Sequence, residues 1–226
     1  MKKFYYYTPI FLQKVGYVVF YPLHRFFVRI EIHGRENLSG LKGPIVLAVN
    51  HTSELDVTTI PLALSFFSPL YPVYFVNNPI EKFKTFGWKS YIYGQVFFNV
   101  LGGYSVHSGF HDYAVSLEDH IDLIEKGRTV CIFPEGRRTL DGKLGFAHGG
   151  MGFMVYETGA TVVPIAIDTF FNITAWEYFG LKRKVKITIL PPMSVSDLIS
   201  AEAPIVEDFK LAGQKVLDKI GEVLKN

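Results

Sequence analysis

Apolar positions along this chain follow two rhythms, short unbroken runs and longer stretches of helical spacing. Gly43-Pro44 makes a turn, and Ile45-Val46-Leu47-Ala48-Val49 follows as an apolar run that predicts a buried strand ending at Asn50-His51. Similar runs predict strands at 73–76, 129–133, 161–167 and 185–190, with Pro134 stopping the second of these. Ala114, Leu117, Ile121 and Ile124 have helical spacing, and Gly127 supplies a stop. Residues 205–224 place Val206, Phe209, Val216, Ile220 and Val223 or Leu224 on one helical face. Strands alternating with helices and loops predict an α/β fold, a mostly parallel central sheet flanked by helices. Sheets of that kind carry their chemistry in loops at the carboxyl ends of the strands.

The first 30 residues break the pattern. They hold Lys2, Lys3, Lys14, Arg25 and Arg29, no acid, and ten interleaved Phe and Tyr residues. Basic charge with interfacial aromatics predicts a helical segment lying in the headgroup region of a membrane. The plainer reading is a terminal helix that caps the core. Lys14 interrupts the apolar run and no small-residue cleavage site follows, so the segment is not read as a signal peptide. Residues 57–80 are free of charge, but Pro61, Pro69, Pro72 and Pro79 argue against one continuous helix. That stretch is expected to be buried or to dip into a membrane, and no transmembrane helix is expected. The organisation is then a membrane-associating segment, 1–30, and one domain, 31–226, held monotopically at the cytoplasmic face of a membrane.

Composition sharpens this picture. Of the 226 residues 49% are hydrophobic, 15% are aromatic and 19% are charged, with a mean hydropathy of +0.20. That much apolar surface needs an aromatic core or contact with lipid. A net charge of +2 gives no support for nucleic acid as a partner. The lone cysteine, Cys131, lies in an apolar run, is read as a small core residue, and leaves no disulfide to form.

Two segments carry candidate chemistry. In Asn50-His51-Thr52-Ser53-Glu54-Leu55-Asp56, an imidazole suited to general base work precedes a carboxylate that can orient it. The two meet only if His51 sits in a loop and Asp56 in the helix that follows. Ser53-x-x-Asp56 also has the spacing of a capping box, so Asp56 has a purely structural reading too. A metal site through His51 and Glu54 lacks a second histidine cluster. The other segment, Phe133-Pro134-Glu135-Gly136-Arg137-Arg138-Thr139, sets two guanidinium groups behind a glycine at a strand's end, an arrangement suited to phosphate. A surface loop with a salt bridge is its plain alternative.

Taken together, these segments resemble the glycerolipid acyltransferase family that includes lysophosphatidic acid acyltransferases. The hallmark Asn-His, four residues, Asp is matched by Asn50, His51 and Asp56, and Phe-Pro-Glu-Gly by Phe133 to Gly136. The likeness extends to Gly34-Arg35-Glu36-Asn37-Leu38 and to Thr158-Gly159-Ala160-Thr161-Val162-Val163-Pro164-Ile165, and covers roughly residues 33–195. It implies that His51, held by Asp56, deprotonates the hydroxyl of a lysophospholipid, which attacks the thioester of acyl-CoA or acyl carrier protein. It further implies that Glu135, Gly136, Arg137 and Arg138 bind the acceptor. No cofactor or metal is expected beyond the acyl thioester co-substrate. One departure stands out. Leu101-Gly102-Gly103-Tyr104-Ser105-Val106 matches the family's second block, but His107-Ser108-Gly109 stands where an arginine that contacts phosphate is usual. The phosphate site is then either weakened or partly supplied by His107 or His111. A hydrolase reading suggested by His148-Gly149-Gly150 lacks a Gly-x-Ser-x-Gly elbow. An inactive, membrane-binding relative remains as the other alternative.

Overall fold

The computed structural model describes residues 3–77, 95–107, 112–168 and 170–224. Among these, seven strands form one sheet: β1 (Glu31–His33), β2 (Ile45–Val49), β3 (Val73–Asn77), β4 (Gly103–Ser105), β5 (Thr129–Ile132), β6 (Thr161–Asp168) and β7 (Lys186–Ile189). Their order is β1-β7-β6-β2-β5-β3-β4. Only β6 and β7 run antiparallel; every other neighbouring pair is parallel. The expected mostly parallel sheet is present. β2 is buried at all five positions, because parallel strands at the centre of such a sheet are covered on both faces.

The pleat divides the core in two. Val46, Ala48, Val130, Ile132 and Val162 face one layer, with Leu123, Ile124, Met154, Val155, Val216 and Ile220. Ile45, Leu47, Val49, Val163 and Ile165 face the other, with Ile60, Leu64 and Phe170. Cys131 lies fully buried in this second layer, where loss of water pushes its thiol pKa up. Six helices matter for the site: α1 (Lys3–Phe27), α2 (Asp56–Ala63), α3 (Gln95–Leu101), α4 (Glu118–Glu125), α5 (Gly150–Thr158) and α6 (Val206–Leu224). α5 lies against α6 so closely that a Cβ on Gly152 would sit 2.4 Å from the Phe209 carbonyl oxygen. Only glycine fits there.

Two expectations change and a third is narrowed. The helix expected across 114–124 is split at Leu117, beside which the Ser116 carbonyl accepts from the His107 amide at 3.1 Å. Val206 is exposed, at the mouth of a cavity rather than on the packed face of α6. The uncharged stretch from 57 is buried over most of its described part, with Phe67 exposed: α2 is mostly buried, and Leu70 to Phe75 are core. Residues 78–80 lie outside the described residues.

α1 is amphipathic in the reverse sense. Its inward face carries buried Gln13 and His24. The Gln13 amide donates to the carbonyls of Val73 (2.6 Å) and Leu101 (3.0 Å) and accepts from the Val73 amide (2.9 Å), which fastens α1 to β3 and α3. Its outward face exposes Tyr7, Phe11, Val15, Val18 and Phe26, spaced three and four residues apart apart from the last step, which passes exposed Pro22. No described helix is long and apolar enough to cross a membrane.

Candidate active site

β2, β5 and β6 end side by side, and the loops that leave them build the site. Asn50 continues β2 as a substitute for backbone. Its side chain donates to the Ile167 carbonyl (2.9 Å) and accepts from the Ile167 amide (2.8 Å), so the chain leaves the sheet at a set angle. His51 follows. Its own amide donates to Glu135 Oε1 (3.0 Å) and its carbonyl accepts from the Thr139 amide (2.9 Å), which clamps the His51 backbone to the loop after β5. The imidazole stacks on Phe133, with ring centroids 3.9 Å apart and planes 15° from parallel.

His51 Nδ1 lies 2.9 Å from Asp56 Oδ2. The same oxygen accepts from the amides of Thr52 (2.7 Å) and Ser53 (2.8 Å), so the hydrogen of the histidine contact belongs to Nδ1. In the neutral ring Nε2 then carries the lone pair, and among the described residues it has no protein partner. Asp56 is 0% exposed and opens α2. It therefore closes the turn that starts the helix and holds the imidazole with the same oxygen. Both readings of the spacing are present in one geometry. Ser53 completes only half a capping box, since its hydroxyl accepts from Leu55 and not from Asp56.

A cavity of about 800 Å³ opens in front of His51, lined by Arg137, Arg138, His107, His148 and Tyr113 among others. Its walls are mixed: Val57, Val76, Val106, Leu117, Ile132 and Met151 supply apolar surface. Gly136 lines it at φ +65°, a left-handed turn that aims the following side chains outward. The two arginines separate. Arg138 donates to Glu54 Oε1 at 3.0 Å, an exposed ion pair, whereas Arg137 has no protein partner among the described residues. Arg137 is the guanidinium left to receive an anion.

Glu135, expected to bind the acceptor, is not among the residues that line this cavity. It is 4% exposed, and its two oxygens accept from the amides of His51 and, at 2.8 Å, Gly145. It holds the His51 backbone from behind. His107 lines the cavity and lies 3.5 Å from Asp119. Ser108 and His111 lie outside the described residues. The imidazole in the cavity with no side-chain partner among the described residues is His148, whose ring lies over Gly136 so closely that a Cβ there would meet its Cδ2 at 2.9 Å. The sequence showed Phe133 only as part of a motif and His148 only as part of a loop, and gave neither a place beside His51. An aromatic immediately before Pro134-Glu135 was the available signal for the first.

Comparison with known proteins places this geometry in context. A family model described as Acyltransferase matches residues 29–168. The chloroplastic 1-acyl-sn-glycerol-3-phosphate acyltransferase LPAT1 of Arabidopsis thaliana is 32% identical over 142 residues, which is 62% of this chain and 36% of that protein. The chloroplastic 1-acyl-sn-glycerol-3-phosphate acyltransferase BAT2 of Brassica napus is 29% identical over 182 residues, 78% of this chain and 49% of that one. The chain thus spans less than half the length of these relatives. The crystal structure of the 1-acyl-sn-glycerophosphate acyltransferase PlsC from Thermotoga maritima superposes with a TM-score of 0.60 at 20% identity, covering 95% of this chain and 82% of that one. That likeness is one of fold.

Proposed function

The chain belongs to the acyltransferase family, and from that premise we propose that it moves a fatty acyl group from an acyl thioester to the hydroxyl of a lysophospholipid, a step of phospholipid biosynthesis. The donor is acyl-CoA or acyl carrier protein, and the acceptor is 1-acylglycerol-3-phosphate. The names of the relatives support this acceptor. The observation that carries the reading is the His51–Asp56 contact of 2.9 Å, which leaves Nε2 free in a ring that lines a cavity also holding Arg137, unpaired among the described residues.

The chemistry needs no acyl-enzyme. Nε2 takes the proton of the acceptor hydroxyl as its oxygen bonds to the thioester carbonyl carbon. The tetrahedral intermediate expels the thiolate, which recovers the proton from the imidazolium. Asp56 stabilises that imidazolium and holds the ring still. Arg137, with His148 beside it, binds the acceptor's phosphate, and the apolar walls take the acyl chains.

The test of this assignment is Arg137→Lys, which keeps the charge and removes the planar fork. The acceptor's KM rises roughly tenfold, about 1.4 kcal/mol, while the donor's KM holds. A change confined to the donor's KM assigns Arg137 to the phosphates of CoA instead.

We further propose a peripheral association of α1 with a membrane. Its outward stripe from Tyr7 to Phe26 supports this, since an apolar face that long is rarely left to water. Lys14 is no part of that contact: its ammonium lies over the rings of Phe66 (4.5 Å) and Tyr71 (4.2 Å). The informative variant is therefore Phe11→Ser with Phe26→Ser. At roughly 1.5 kcal/mol or more per apolar side chain, flotation with anionic vesicles falls by about two decades. Unchanged flotation returns α1 to the role of a core cap.

A further inference from the structure

A second exposed apolar element lies beside α1. The short helix Ala175–Phe179 and the turn after it present Trp176 (75% exposed), Phe179 (61%) and Leu181 (40%) to the outside. In water, polar residues would serve these positions better. Their exposure is not slack in the loop. Thr174 and Glu177 form a capping box, Arg183 donates to Glu177 Oε1 at 2.8 and 3.1 Å, and Tyr178 donates to or accepts from His24 Nδ1 of α1 at 2.8 Å. Leu181 has φ +57°, a conformation disfavoured for leucine, and its carbonyl accepts from Arg29 at 2.6 Å. The backbone is thus held under strain with a leucine on the surface.

Position and charge say what covers it. The Phe179 ring is edge-on to Phe27 at 5.0 Å, so the apolar surface runs on from the end of α1. Residues 25–31 and 174–186 together hold Arg25, Arg29, Lys182, Arg183, Lys184 and Lys186 against only Glu31 and Glu177. Both acids are already paired, Glu31 with Lys184 and Glu177 with Arg183. Lys182 stands over the Trp176 ring at 5.7 Å. The element follows β6 and leads into β7, whose Lys186 pairs with Asp168. It therefore sits at the end of the sheet where β2 and β5 also finish, the end that carries His51.

We propose that residues 174–186 form a second membrane-contact element, in which Trp176, Phe179 and Leu181 enter the headgroup layer of an anionic bilayer while the surrounding basic residues meet its lipid phosphates. Aromatics that insert beneath a basic rim are the arrangement interfacial binding requires. Together with α1 it turns the active-site edge of the sheet toward the lipid surface from which the acceptor comes. The inference rests on the proposed membrane association, and its test separates the two.

Trp88→Phe leaves Trp176 as the only tryptophan. This variant is mixed with vesicles of equal parts phosphatidylglycerol and phosphatidylcholine, carrying brominated acyl chains that quench tryptophan on contact. Should Trp88→Phe fold poorly, the difference in emission between the natural chain and Trp176→Phe gives the same signal. The expected result is a blue shift and quenching of Trp176, weaker on phosphatidylcholine alone. Trp176→Ala with Phe179→Ala, checked for folding by circular dichroism, lowers flotation by roughly tenfold or more. Vesicle binding with Trp176 unquenched overturns the second element and leaves α1 as the contact. No vesicle binding at all overturns both. A variant that floats as well as the natural chain overturns the proposal even if quenching is seen.

Discussion

His51→Ala lowers turnover by roughly 10²–10⁴-fold, the range expected when a general base is removed, and leaves the protein folded. Folding survives because Asp56 keeps the amides of Thr52 and Ser53 and the Thr52 hydroxyl as donors when the imidazole is gone. The backbone of residue 51 also keeps its bonds to Glu135 and Thr139. What disappears is the free ring nitrogen in the cavity. The check is kcat under saturating acceptor and donor, with a melting curve beside it. A folded variant with turnover within a few-fold of the natural chain removes His51 from the mechanism.

Asp56→Asn is expected to lose roughly 10²–10⁴ in turnover for a different reason. The amide has one oxygen where the carboxylate has two, and no charge. If that oxygen stays on Thr52 and Ser53, the imidazolium formed in the reaction loses its counter-charge. If the amide nitrogen faces His51 instead, it donates to Nδ1 and forces the proton onto Nε2, which ends its use as a base. Stability falls by about 1–3 kcal/mol as charge-assisted bonds are lost in a fully buried place. The combination matters. A lower melting temperature with normal turnover reduces Asp56 to the start of α2, whereas a large loss of turnover assigns it to the reaction.

Much of this was legible in the sequence for identifiable reasons. β2, β5 and β6 show as apolar runs because they are buried on both faces, while β1 and β4, three residues each, leave no period to detect. α5 escaped because Gly150 and Gly152 look like loop, yet Gly152 is set by the backbone of Phe209 in a helix far along the chain. In the site, Asn50, His51 and Asp56 are close in sequence, so their relation could be read from spacing. Glu135 could not be read this way. Its partner is the amide of a residue 84 positions earlier, and a backbone partner has no signature in side chains. Arg137 and Arg138 look equivalent until Glu54, across the cleft, takes one of them. The exposed aromatics of α1 illustrate the same point: the sequence shows their number, and only the fold shows that the polar Gln13 and His24 point inward while Phe11 and Phe26 point out.

The central claim is acyl transfer from a thioester to a lyso-lipid hydroxyl with His51 as base. The measurement that tests it most directly is thiol release from an acyl thioester, followed with and without 1-acylglycerol-3-phosphate, with the lipid product identified by mass spectrometry. Thiol release that requires the acceptor, forms a diacylated phosphate and is lost in His51→Ala is the predicted result. Release at the same rate without acceptor would make the protein a thioester hydrolase. No release with any lyso-lipid, from folded protein supplied with acyl-CoA or acyl carrier protein, would contradict the account outright.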